Sequence, residues 1–146
     1  MQSKVKIEGL RELSQKSDAF KKHLFSQFGE IVKEGADMIR DEAKAKAPTG
    51  DTGNLKKGIT STITWDKQKS KAFAGVGMDA GMNDVFVKYS ANGKRYYYPS
   101  SVEYGHKPNK ESTARPFLRP ALKKKRNAVK KLIASKVGAL IGGFKP

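Results

Sequence analysis

Residues 17–47 carry an apolar stripe that only a long helix keeps on one side. Phe20, Leu24, Phe28, Ile31, Val32, Met38, Ile39 and Ala43 recur at spacings of three, four and seven. Ser17 or Asp18 is placed to cap its start. Pro48 and Gly50 end it, because a proline disfavours helix in the residue before it. At about 1.5 Å per residue such a helix runs roughly 45 Å. In a chain of 146 residues it must lie across a sheet or reach a neighbouring subunit. A chain of this length reads as one domain over residues 1–146, with enough surface to bury a core unaided.

The segments around that helix alternate with period two. Residues 4–9 read as a short strand. Residues 48–54 form a turn-rich loop, from which Thr52 is placed to cap a short helix through Leu55 and Ile59. Four strands are predicted within residues 60–98: 60–67, 71–78, 84–90 and 94–98. Asn92-Gly93 between the last two predicts a hairpin with a type I′ turn. Residues 99–114 read as irregular. A second helix is predicted over 116–141, with Leu122, Val129, Leu132, Ile133, Val137, Leu140 and Ile141 as its stripe. The expected architecture is α+β: an antiparallel four-stranded meander packed by the long N-terminal helix, with a basic helix at the C-terminus.

Charge is placed unevenly. The chain has 30 Lys and Arg against 14 Asp and Glu, a net charge of +16. From Lys107 onward there are 12 basic residues and one acid, Glu111. Lys123, Lys124, Lys125, Arg126, Lys130 and Lys131 clothe the polar side of the C-terminal helix. Such a field attracts polyanions, whether nucleic acid, an anionic surface or an acidic protein. A solvated face kept soluble by lysine is the alternative.

Reactive constellations are missing. The sequence has no cysteine, which removes disulfides, thiolate metal sites and cysteine nucleophiles together. His23 has Ala19 and Gln27 at the four-residue helical spacings, so a metal pair does not form. His106 sits in a polar loop. Gly75-Val76-Gly77 lacks the third glycine and the following helix of a dinucleotide loop. No catalytic, cofactor-binding or metal-binding residue can be chosen, and no cofactor is expected. The N-terminus has no run resembling a signal peptide. No apolar stretch approaches the roughly 18 residues that span a bilayer, so no membrane partner is expected. Tyr96, Tyr97, Tyr98 and Tyr104 lie near Lys94 and Arg95. They can stack on single-stranded bases, or pack on the core and line a protein interface; the second is favoured.

Three pieces in order resemble one family. The first is Ala47-Pro48-Thr49-Gly50-Asp51-Thr52-Gly53-Asn54-Leu55-Lys56-Lys57-Gly58-Ile59. The second is Tyr98-Pro99-Ser100-Ser101-Val102-Glu103-Tyr104-Gly105. The third is Ala114-Arg115-Pro116-Phe117-Leu118-Arg119-Pro120-Ala121-Leu122. Val5-Lys6-Ile7-Glu8-Gly9-Leu10 also fits. Together they resemble the head–tail joining proteins of long-tailed double-stranded DNA phages, also labelled neck, tail-completion or minor tail proteins. The resemblance covers roughly residues 4–141. Gly58 stands where Ser is more usual, and His106 where Thr is common.

The resemblance implies a non-enzymatic α+β subunit of the virion, made in the host cytoplasm. It implies a ring of identical copies, hexameric, joining the portal or connector to the tail tube, with passing contact to DNA. Motif residues expected to matter for interfaces or local structure are Thr52, Gly53, Leu55, Glu103, Tyr104, Gly105, Arg115, Pro116 and Phe117. Glu103-Tyr104-Gly105 is expected to reverse the chain. Phe117 is expected to pack on the sheet and Arg115 to pair with Glu103. A different class remains open: a free basic nucleic-acid-binding protein using Lys123 to Lys131.

Overall fold

A computed structural model describes residues 18–66, 68, 71–106 and 113–142. The expected strand at 4–9 lies outside the described residues. The first described element is α1, Asp18–Lys46. It buries Leu24, Phe28, Ile31, Val32, Ala36, Ile39 and Ala43 on one stripe, the face that the sequence pattern marks. Met38 is only half-buried at its margin. After Pro48 comes the short α2, Asn54–Gly58. It leads into β1, Ile59–Asp66, and β2, Lys71–Met78.

These two strands pair antiparallel from Ile59 opposite Met78 to Asp66 opposite Lys71. They form a complete two-stranded sheet by themselves. The inward face of β2 is Ala72, Ala74 and Val76. Small side chains there let α1 settle across the ribbon. Asp37 on α1 pins the crossing: it accepts from the Ser61 hydroxyl of β1, from Arg40 at 2.8 Å and from Lys33 at 3.0 Å.

The four-stranded meander does not form. A 3-10 turn at Ala80–Met82 leads into the helical turn α3, Asn83–Phe86, which takes the first three residues of the predicted third strand. Phe86 is the reason. Only 1% exposed, it sits under Gly58 with its ring edge against Tyr97, 6.0 Å between centroids. Anchoring that ring fixes the chain in a turn. What remains is β3, Val87–Tyr89, paired with β4, Arg95–Tyr97, in a second, separate two-stranded sheet.

The hairpin at Asn92-Gly93 is present with a different turn. Ser90 N–H donates to the Lys94 carbonyl at 2.9 Å, and Gly93 N–H donates to the Ser90 carbonyl at 2.8 Å. The loop is therefore three residues, Ala91 to Gly93. Gly93 takes a φ of 72°, the left-handed residue such loops require. Residues 99–114 are likewise not all irregular. Tyr98–Tyr104 form α4, with Pro99 in the first turn.

The last element is α5, Leu118–Gly142. It packs along α1 rather than standing apart, burying Ala121, Val129 and Ile133 in the same core as Ile31, Val32, Ile39 and Phe117. A Cβ on Gly35 would lie 2.8 Å from Val129 Cγ1, so the two helices approach closely at that glycine. Ion pairs Lys124–Glu42 and Lys136–Glu34 bridge the same two helices.

Gly29 gives a first prediction. A Cβ there would lie 1.7 Å from Trp65 Cη2. The indole also packs tilted against Phe25, 4.5 Å between centroids. On an open helix surface Gly→Ala stabilises by about 1 kcal/mol. Here displacement of the indole outweighs that gain, and Gly29→Ala is expected to destabilise by about 2 kcal/mol. Trp65 is the single tryptophan, so denaturation followed by its fluorescence reads the stability and the displacement together. A stabilised variant with an unmoved emission maximum would refute the packing.

Candidate functional site

The motif residues of the second and third pieces meet at one junction. Glu103 lies in the last turn of α4 and is 2% exposed. Its carboxylate points at the start of α5. Oε2 accepts from the N–H of Phe117 at 2.7 Å and of Leu118 at 2.9 Å. Oε1 accepts from the N–H of Arg119 at 3.0 Å.

A helix begins with four N–H groups that have no partner inside it. For α5 these belong to residues 117–120. Three donate to Glu103, and Pro120 has no N–H to satisfy. One distant carboxylate thus caps the whole first turn, and its charge also meets the positive end of the helix dipole. Residues 114–117, Ala-Arg-Pro-Phe, contain no Ser, Thr, Asp or Asn that could do this locally.

The contact also runs the other way. The open carbonyls at the C-terminal end of α4 are taken by the approach to α5. Val102 C=O accepts from Arg115 N–H at 2.7 Å. Glu103 C=O accepts from Arg119 Nη2 at 3.2 Å. Burial alone would raise the Glu103 carboxyl. The three backbone N–H groups and Arg119 more than offset it and hold the group below its ordinary value.

The ion-pair partner is Arg119, with Nε 3.1 Å from Oε1, and not Arg115. Arg115 contributes its backbone to the junction, and its side chain lies exposed. The Arg119 guanidinium also lies over the Tyr104 ring, 4.7 Å from the centroid. Position 119 was legible only as part of a motif. Its role follows from its place in the first turn of α5, where its Nε faces the carboxylate.

The other motif residues are placed as follows. Phe117 is fully buried in the core, and Pro116 is exposed beside it. Gly105 ends α4 with a φ of 76°, a left-handed value that glycine adopts without strain. In the first motif Leu55 is 2% exposed and packs in the core. Gly53 occupies the cap position of α2 with a φ of 65°. Thr52 Oγ1 accepts from Asn54 N–H at 3.3 Å, so it braces the entry to α2 from one position before the cap. Among the described residues no group of three His, Asp or Glu is placed to hold a metal.

The basic side chains of α5 divide. Lys124 and Lys125 turn toward Glu42 on α1, at 2.8 Å and 3.8 Å. Lys123, Arg126, Lys130 and Lys131 are exposed, and no ion pair to an acid is formed by them among the described residues. Spacings of three and four put Lys123, Arg126 and Lys130 on one line.

No helix among the described residues is long and apolar enough to cross a membrane. No curated protein and no solved structure matches the chain. A family model does, over residues 10–105, under the description "Bacteriophage HK97-gp10, putative tail-component". That stretch includes the first two motifs and ends on Gly105; the third motif and α5 follow it. With about two-thirds of its length matched, the chain belongs to the HK97-gp10-like family of phage tail components.

Proposed function

We propose that the chain is a non-enzymatic structural subunit of a phage virion, one domain across residues 1–146. It forms a ring at the head–tail junction, as a neck or tail-completion protein, and connects the portal or connector to the tail tube. The observation that carries this is the family match over residues 10–105. The Glu103 junction supports it: a buried carboxylate is spent on fixing the direction of a helix, which suits a part that must present a fixed surface to neighbours.

The experiment is loss of the protein from the phage genome that carries it. Electron microscopy is expected to show filled heads and free tails that do not join. Joined, infectious particles without the protein would rule the assignment out.

Free nucleic-acid binding is the second reading, favoured by the exposed basic side chains of Lys123, Arg126, Lys130 and Lys131. Roughly four phosphate contacts would give an affinity falling with a log–log salt slope of about −3.6. The purified chain, titrated with duplex DNA at two salt concentrations, tests it. No binding at the lower salt removes this reading and leaves an acidic protein neighbour as the object of that face.

A further inference from the structure

A cleft of about 840 Å³ opens between the β3–β4 hairpin and the α4–α5 junction. Lys94 and Arg115 line it, with His106, Tyr96 and Tyr98. No carboxylate among the described residues lines it. Both cationic side chains are exposed, and neither is paired with an acid among the described residues. The volume is in the range of pockets that enclose a small group of side chains. Tyrosine beside arginine is the composition of protein-binding hot spots. The hairpin forming one wall is a lone two-stranded ribbon, marginal in water without something packed on it.

The same chain carries a turn of opposite sign. Residues 72–87 contain Asp79 and Asp84 and no Lys, Arg or His, in a protein of net charge +16. Both acids are exposed, Asp79 just after β2 and Asp84 in the first turn of α3. Asp79 holds that turn in shape by accepting from Gly81 N–H at 2.8 Å. None of residues 79–87 lines the cleft, so the two patches do not meet within one subunit.

We propose that the acidic turn at residues 79–84 of one copy docks into the Lys94–Arg115 cleft of the next. Two different patches in contact make a head-to-tail interface, which closes into a ring when the rotation per subunit allows. Opposed charges also solve a physical problem of self-assembly, since copies this basic repel one another elsewhere. This inference rests on the self-assembly reading above and names the contact that would produce it.

Charge exchange in the full chain tests it. One variant carries Lys94→Glu and Arg115→Glu. The other carries Asp79→Asn and Asp84→Lys, the asparagine keeping an acceptor for Gly81. Circular dichroism and Trp65 fluorescence confirm that each folds. Self-association is measured by sedimentation over a concentration series. Each variant alone is expected to associate at least about tenfold more weakly than the parent chain. An equimolar mixture is expected to regain association to within about threefold, because both contacts between unlike copies are again opposite in charge. A parent chain that stays monomeric throughout overturns this contact and the self-assembly reading together. A parent oligomer that neither pair of substitutions weakens, or weakened variants that do not recover on mixing, overturn the docking contact alone.

Discussion

Glu103→Ala is expected to lower the unfolding free energy by about 3 kcal/mol and to loosen the first turn of α5. An ordinary helix cap is worth about 1 kcal/mol because it satisfies one donor at a solvated end. Here one carboxylate satisfies three backbone donors and is itself 2% exposed. Alanine removes all three bonds and leaves Phe117 N–H facing the core. It also strands the Arg119 guanidinium, although that side chain is half-exposed and recovers water. For a domain of this size the loss corresponds to a melting temperature roughly 10 °C lower. Glu103→Gln keeps the volume and one acceptor, so an intermediate loss is expected. Urea denaturation of the three proteins measures the series. A loss below about 1 kcal/mol for alanine would mean that water caps the helix equally well.

The same carboxylate predicts an acid dependence whose sign can be fixed. Its folded-state value lies below the ordinary 4.5. The unfolded chain therefore takes up the proton first as the pH falls. The stabilisation from Glu103 is fully present above about 4.5 and is lost as the pH drops through the folded value. The parent chain is expected to lose stability across that window more steeply than Glu103→Gln. Parallel profiles would show that other carboxylates control the acid limb.

The helices were legible in the sequence because each obeys one long pattern. A stripe spanning residues 20–43 cannot be satisfied by anything but a helix, and Pro48 fixes its end. The α5 stripe is read the same way, through Val129 and Ile133. The sheet is less legible, because alternation is a local signal over few residues. Val85, Val87 and Tyr89 alternate as a strand does, and residues 87–89 form one, yet burial of Phe86 between Gly58 and Tyr97 turns the backbone at 83–86. That contact joins residues nearly 30 apart in the chain and has no trace in a local pattern. The Glu103 junction shows the same division. Its residues stood out as motifs, whereas the choice of Arg119 over Arg115 depends on which side of a first helical turn faces the carboxylate. One signal did exist: a helix start with Ala114-Arg115-Pro116-Phe117 and no local cap must find its acceptor elsewhere.

Phe117→Ala is expected to cost about 4 kcal/mol, within the range for deleting a buried aromatic side chain. The ring is 0% exposed and belongs to the core cluster that holds Val32, Ile39, Val76 and Ala121. It sits where α1 and the start of α5 converge, so nothing flexible can collapse into the space. Phe117→Leu keeps most of the volume and is expected to cost less than about 1.5 kcal/mol. Denaturant midpoints with an unchanged slope would show that stability and not compactness has moved. Phe117 also donates its N–H to Glu103, so ring and carboxylate hold the same turn from two sides. Once the ring is gone, the turn is already loosened and the carboxylate has less left to hold. The double variant Glu103→Ala with Phe117→Ala is therefore expected to lose less than the sum of the single losses, by about 1 kcal/mol. Strict additivity would mean that the cap and the anchor act on separate parts of the helix start.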